Sequence, residues 1–160
     1  NGKEFITDIF SKGDFFGFNA IIEDRNYSDN ADTLEETDLM LIPREEFLSL
    51  FTNDAQVSKH FIKLITKKKK KKEEALINLA YNSLRKKVAF GLIRVLEKYR
   101  NEKADNSISE LSRENLAQLI GVATESLIRT LADFKSEGLI NLEPSKIIII
   151  NEKKLRDLPC

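Results

Sequence analysis

The stretch SRENLAQLIGVATESLIRTLADF, running from Ser112 to Phe134, holds two amphipathic segments joined at one glycine. Ser112 can cap a helix whose inward positions are Leu116, Leu119 and Ile120. Ala117 is small, which lets a second helix cross close above it. Gly121 supplies the positive φ that a tight turn needs, and Val122 plugs the corner. Thr124 then begins a second helix with Leu127, Leu131 and Phe134 inward. A small residue, a glycine four later and an apolar residue six beyond that glycine form the spacing of a helix-turn-helix.

Downstream, Gly138-Leu139-Ile140 leads into strand-like sequence, Glu143-Pro144-Ser145-Lys146 reads as a turn, and Ile147 to Ile150 as a second strand. Together they predict a β-hairpin wing. The outward face of the second motif helix presents Thr124, Glu125, Ser126 and Arg129. Arginine can reach guanine O6 and N7 together, and glutamate can accept from cytosine N4. Glu125 and Arg129 also stand at i and i+4, where a surface ion pair worth little is the competing use. Their place in the first turns of this helix favours base reading. Arg113 at the first helix and Lys146 on the wing are the expected phosphate contacts, and Ser112 belongs to the expected DNA-binding residues.

Upstream of the motif, Ser83 to Tyr99 predicts a helix carrying Leu84, Val88, Phe90, Leu92, Ile93, Val95 and Leu96, followed by a polar linker over 101–106. A longer helix opens near Asn53-Asp54. Val57, Phe61 and Leu64 form a stripe that Leu76 and Leu79 continue, at spacings that suit packing against a partner helix. The run Lys67 to Lys72 interrupts it. Six consecutive lysines cover every face, with neighbours at i and i+4 repelling by a few tenths of a kcal/mol; a solvated stretch and an anion-binding spot both remain open.

The front of the chain is strand-like at Phe5 to Phe10 and at Leu39 to Ile42, read as a short buried strand stopped by Pro43. Pro43 also suits the first turn of a helix with Glu45 and Glu46 near its N-terminus. So few strands do not make a stable β-domain, and further strands are expected upstream of Asn1. The 160 residues are 41% hydrophobic and 32% charged, with no run long enough to span a bilayer and no secretory leader. One cysteine, Cys160, and one histidine, His60, leave no metal site, no disulfide and no histidine-dependent triad to expect; this fits a reducing cytoplasm and a protein that is not an enzyme, though composition alone does not name its function. The net charge of zero hides an acidic front, with six Lys/Arg against thirteen Asp/Glu over 1–66, and a basic remainder.

These segments resemble the Crp/Fnr superfamily of bacterial regulators across nearly the whole chain. Lys12-Gly13-Asp14-Phe15-Phe16-Gly17 is similar to that family's loop into the cyclic-nucleotide phosphate cassette, and Leu41 to Phe47 to the end of its β-roll. Leu79 to Val88 resembles the junction of dimer helix and DNA-binding domain. Leu111 to Gly121 resembles the first motif helix, with Glu125 and Arg129 at base-reading positions. The resemblance places an effector pocket at Gly17, Phe18, Tyr27, Ser28, Lys72 and Glu73. It also exposes departures. Phe18 stands where cyclic-nucleotide binders hold the ribose with glutamate, and Tyr27 stands where an arginine before Ser28 would pair with the cyclic phosphate. Lys72 and Glu73 replace hydroxyl residues facing the purine, and Thr124 replaces a frequent arginine. Without that arginine the charge-assisted bonds to phosphate are lost, so cyclic AMP binding of the usual kind is not expected, and no cofactor is.

The expectation is an α+β chain: the C-terminal part of a jelly-roll-like β-roll sensor over 1–53, a long dimerisation helix over 54–81, and a winged helix-turn-helix over 82–160. Its expected partners are double-stranded DNA, a second copy of itself as homodimer, and RNA polymerase, with no membrane. The rival expectation is a protein-interaction scaffold or regulatory subunit of the same fold. Residues 105–160 support that rival slightly, with seven Lys/Arg against nine Asp/Glu.

Overall fold

The computed structural model describes residues 6–100, 106–109 and 111–159, apart from the side chains of Asn78, Leu79 and Tyr99. The chain forms two compact units, one of residues 17–77 and one joining 1–16 to 78–160. Phe5, most of the 101–106 linker and Cys160 lie outside the described residues.

In the 17–77 unit, α1 (Phe18–Ile22) and α2 (Arg44–Asn53) are followed by α3 (Ala55–Tyr81), which continues into the other unit. Three phenylalanines make the core. Phe61 on α3 meets Phe18 edge-on at 5.3 Å between ring centroids and Phe47 at 5.1 Å. Such tilted contacts place the positive ring edge against the negative face. Pro43 stands just before α2, one position earlier than expected, with Glu45 and Glu46 in the first turn. Asp54 starts α3: its Oδ1 accepts from the backbone N–H of Gln56 at 2.8 Å and of Val57 at 3.2 Å.

Two sequence expectations fail here. Residues 6–10 and 39–42 form no strand, and Leu39, Met40 and Leu41 are exposed, Met40 by 90%. A strand persists only when neighbours take up its backbone N–H and C=O groups. For 39–42 the described residues of the 17–77 unit contain no strand to do so, and residues 6–10, in the other unit, are not part of its three-stranded sheet.

The other unit is built on α4 (Leu84–Tyr99), whose cap Ser83 accepts from the N–H of Lys86. Val88, Ala89, Leu92, Ile93, Val95 and Leu96 are all buried. A helix apolar on so much of its surface sits at the centre of a domain rather than along one side. Around it pack β1 (Ser107–Ser109), α5 (Arg113–Ile120), α6 (Thr124–Ser136) and α7 (Glu152–Arg156), while β2 (Ile140–Leu142) and β3 (Lys146–Ile149) complete the domain through the sheet and α6. The sheet order is β1-β3-β2, antiparallel throughout, with Ser107 opposite Ile148 and Ile140 opposite Ile149. The hairpin β2–β3 is the anticipated wing. Neither β1 nor α7 was anticipated. Three residues of Ser-Ile-Ser carry too little pattern, and α7 depends on partners far away in sequence.

Those partners are ionic. Glu152 on α7 accepts from Arg100 at 2.6 Å and from Arg156 at 2.7 Å, and Arg156 also reaches Glu97 on α4 at 2.7 Å. The hydrogen bonds from Arg100 and Arg156 hold the Glu152 carboxyl below its ordinary pKa, against the opposing effect of burial. A lowered carboxylate pKa stabilises the fold above the unfolded value and loses that contribution as pH falls through the folded one. Docking of α7 therefore weakens in acid. In the same unit, Lys98 forms an ion pair with Asp14, which brings the segment before residue 17 against α4.

Candidate nucleic-acid interface

The two motif helices are fixed to each other by their turn. Ser112 Oγ accepts from the N–H of Asn115 at 3.0 Å, closing the start of α5 as expected. At its end Gly121 has φ 76° and ψ 39°, the left-handed region that costs an L-residue with a Cβ roughly 1–2 kcal/mol. Both Gly121 and Val122 donate their N–H groups to the carbonyl of Ala117, at 2.9 and 3.0 Å. Ala117 is buried at 1% exposure, beside Leu116 and Ile120. On α6, Leu127, Leu131 and Phe134 face the core as the spacing predicted, and so does Thr130. That polar residue is tolerated inside because its hydroxyl donates to the carbonyl of Ser126 at 2.8 Å.

The remaining face of α6 is open. Glu125, Ile128 and Arg129 are exposed, while Thr124 and Ser126 are half-buried. Among the described residues neither the Glu125 nor the Arg129 side chain has an ion-pair or hydrogen-bond partner. The i, i+4 pair that their spacing permits does not form. Both functional groups are left pointing away from the fold with their hydrogen-bonding capacity unspent.

Arg113 adds a second feature. It occupies the first position of α5, is half-buried, and has no side-chain partner among the described residues. Burial pushes its guanidinium below the ordinary pKa, yet the group remains charged at any working pH. A cation at a helix N-terminus also opposes the helix dipole. An incoming anion would relieve both penalties. Lys146, at the start of β3, is exposed beside the wing turn, where Glu143 and Lys146 bond through their backbones at 3.0 Å. Ser112 is exposed, but its hydroxyl serves the helix cap.

At the far end of α6, Arg85 holds the helix in place. Its guanidinium reaches both oxygens of Glu137, at 2.8 and 2.7 Å, and lies 4.9 Å from the ring centre of Phe134. Sequence reasoning missed this residue. Partners separated by 52 positions leave no local signal.

In the 17–77 unit the expected effector residues are placed unevenly. Gly17 and Tyr27 come together: a Cβ on Gly17 would lie 3.3 Å from Tyr27 Cε1. Ser28 donates to its neighbour Asp29. Phe18 is buried in the phenylalanine core, with the Lys68 ammonium 5.3 Å from its ring centre. It therefore offers no aromatic surface to a ligand, and only exposed Tyr27 does. Lys72 and Glu73 are exposed on α3. Along the expected dimer stripe, Val57 and Leu64 are half-buried, Phe61 belongs to its own chain's core, and Leu76 is 65% exposed. The Leu79 side chain lies outside the described residues. Among the described residues, the large apolar side chains that α3 leaves open are Ile62, Ile65, Leu76, Ile77 and Tyr81, and three of them, Ile62, Ile65 and Leu76, fall on one heptad line.

Comparisons with known proteins match two families along the chain. Residues 86–158 match the family described as Crp-like helix-turn-helix domain, and residues 1–54 match the cyclic nucleotide-binding domain family. A CRP-like cAMP-activated global transcriptional regulator of Mycobacterium tuberculosis is 23% identical over 157 residues, covering 97% of this chain and 70% of the relative. A solved transcriptional regulator from Eubacterium rectale is 25% identical with a TM-score of 0.54, covering 72% of this chain and 51% of that one. FixK2 from Bradyrhizobium japonicum shares the fold at a TM-score of 0.66 and 17% identity, covering 74% and 60%. The chain thus spans between half and two thirds of these solved chains. No helix among the described residues is long and apolar enough to cross a membrane.

Proposed function

The chain belongs to the Crp/Fnr family of transcription regulators, and from that premise we propose that it binds an inverted-repeat operator as a homodimer. The helix α6 enters the major groove, with Arg129 addressing a guanine and Glu125 a cytosine. Thr124 and Ser126 lie at the edge of that contact. Arg113 and Lys146 hold the phosphate backbone and set the register. The observation that carries this reading is the unspent pairing capacity of Glu125 and Arg129. Two opposite charges in reach of each other, both exposed, are left without a partner among the described residues.

Division of labour follows the expected boundaries: a sensor part over 1–53, a dimerising helix over 54–81, and the DNA-binding part over 82–160. The dimer contact uses the open heptad line of α3, Ile62, Ile65 and Leu76. The effector pocket is degenerate, because Tyr27 brings no charge and Phe18 is enclosed. The protein works in the cytoplasm by binding, with RNA polymerase as a further partner.

Selection from a randomised duplex library tests the reading. An inverted repeat should be enriched, with half-sites about one helical turn, roughly 34 Å, apart. Arg129→Ala should weaken binding by about 1–3 kcal/mol and abolish preference at one base pair. An unchanged preference in that variant would move the scaffold reading ahead.

A further inference from the structure

Ile128 is half exposed, at 50%, in the second turn of α6. It is an apolar residue on a face otherwise used by Glu125 and Arg129, and that combination has no support from stability. Isoleucine is a poorer helix former than alanine, leucine or lysine at an exposed position, because its branched Cβ loses freedom against the preceding turn. The core side of α6 is already filled by Leu127, Leu131 and Phe134. At about 100° per residue, Ile128 lies about 60° around the helix from Glu125, on the side away from Arg129. Ala132, one turn further on, is exposed and small, so nothing long shields the isoleucine from whatever α6 approaches.

The major groove offers one apolar feature, the C5-methyl group of thymine. Resting on the reading of α6 as the groove-entering helix, we propose that Ile128 is a specificity-determining residue that reads a thymine methyl next to the bases addressed by Glu125 and Arg129. The contact removes two apolar surfaces from water and needs no hydrogen bond. It therefore distinguishes thymine from cytosine, whose C5 carries only hydrogen, without competing with the charged residues beside it.

Deoxyuridine differs from thymine only by that methyl, so it is the direct probe. The full chain is first used to select its site from a random duplex library. Each thymine of the selected half-site is then replaced in turn by deoxyuridine, and competitive binding is measured. Wild type should lose about fourfold in affinity at one thymine per half-site, the value of one methyl-sized apolar contact. Ile128→Ala should bind more weakly and show no deoxyuridine penalty there, and Ile128→Val should keep part of it. Indifference of wild type to every replacement overturns the inference, as does a penalty that survives in Ile128→Ala. Failure to enrich any sequence is a distinct result, which removes the DNA-binding reading and this inference with it.

Discussion

Gly91 of α4 and Ile120 of α5 approach so closely that a Cβ on the glycine would stand 2.3 Å from Ile120 Cγ1 and 2.7 Å from its Cδ1. Ile120 is buried and stiff at χ1 through its branching, so it has little room to turn away. The crossing of the central helix over the first motif helix depends on this missing side chain.

Gly91→Ala should consequently destabilise the protein, although alanine is worth up to about 1 kcal/mol more than glycine inside a helix. Overpacking costs about 1–3 kcal/mol, and the difference should appear as a lowered melting temperature. A variant as stable as wild type, or more so, would show that α5 can slide along α4 freely.

The cations at Arg113 and Lys146 should behave differently from Arg129. Replacing either by alanine should weaken binding to all sequences alike and reduce the slope of log affinity against log salt by about one per contact. Titrations at several salt concentrations, on the selected site and on a scrambled one, separate the two classes. A loss confined to the selected site would place Arg113 among the base readers.

The dimer should come apart without loss of fold when Ile65 and Leu76 are both changed to glutamate, since both side chains are already in solvent within one chain. Sedimentation should show monomers that retain helical content and no longer bind specifically. Phe61→Ala should act through folding instead, lowering stability by about 3–5 kcal/mol through the cavity left in the phenylalanine core. Dissociation by Phe61→Ala with stability intact would return that residue to the dimer contact.

Cyclic AMP should bind weakly or not at all, because the phosphate would find Tyr27 where a guanidinium is needed. Calorimetric titration of the protein is the check. Micromolar affinity would mean that another cation, such as Lys72, takes over the phosphate.

The motif was legible because its information is local. Ser112 as cap, Ala117 as small contact, Gly121 as turn and the inward Leu127, Leu131 and Phe134 each follow from spacing within a few turns. The wing was readable for the same reason, since its hairpin closes over a few residues. In the front of the chain the same kind of pattern misled. Leu39 to Ile42 have strand composition, but a strand is a property of its neighbours, and the described residues there supply none.

The stripe on α3 shows the same division at finer grain. Periodicity correctly gave an amphipathic helix but could not decide which line of it faces a partner copy and which faces its own chain. Phe18 and Phe47, brought in from 43 and 14 residues away, capture Phe61 and leave the neighbouring line of Ile62 and Ile65 open. What the sequence determined by itself, then, is the helix-turn-helix, its wing and the residues projecting from α6, all consequences of short-range periodicity and turn chemistry. The tertiary structure alone decided that Glu125 and Arg129 stay unpaired and Arg113 half-buried without a counter-ion among the described residues, that α4 must carry a glycine under Ile120, and that Ile128 is left bare. Each of these depends on what lies across the packing from a residue, and distances through space are not written in the spacing along the chain.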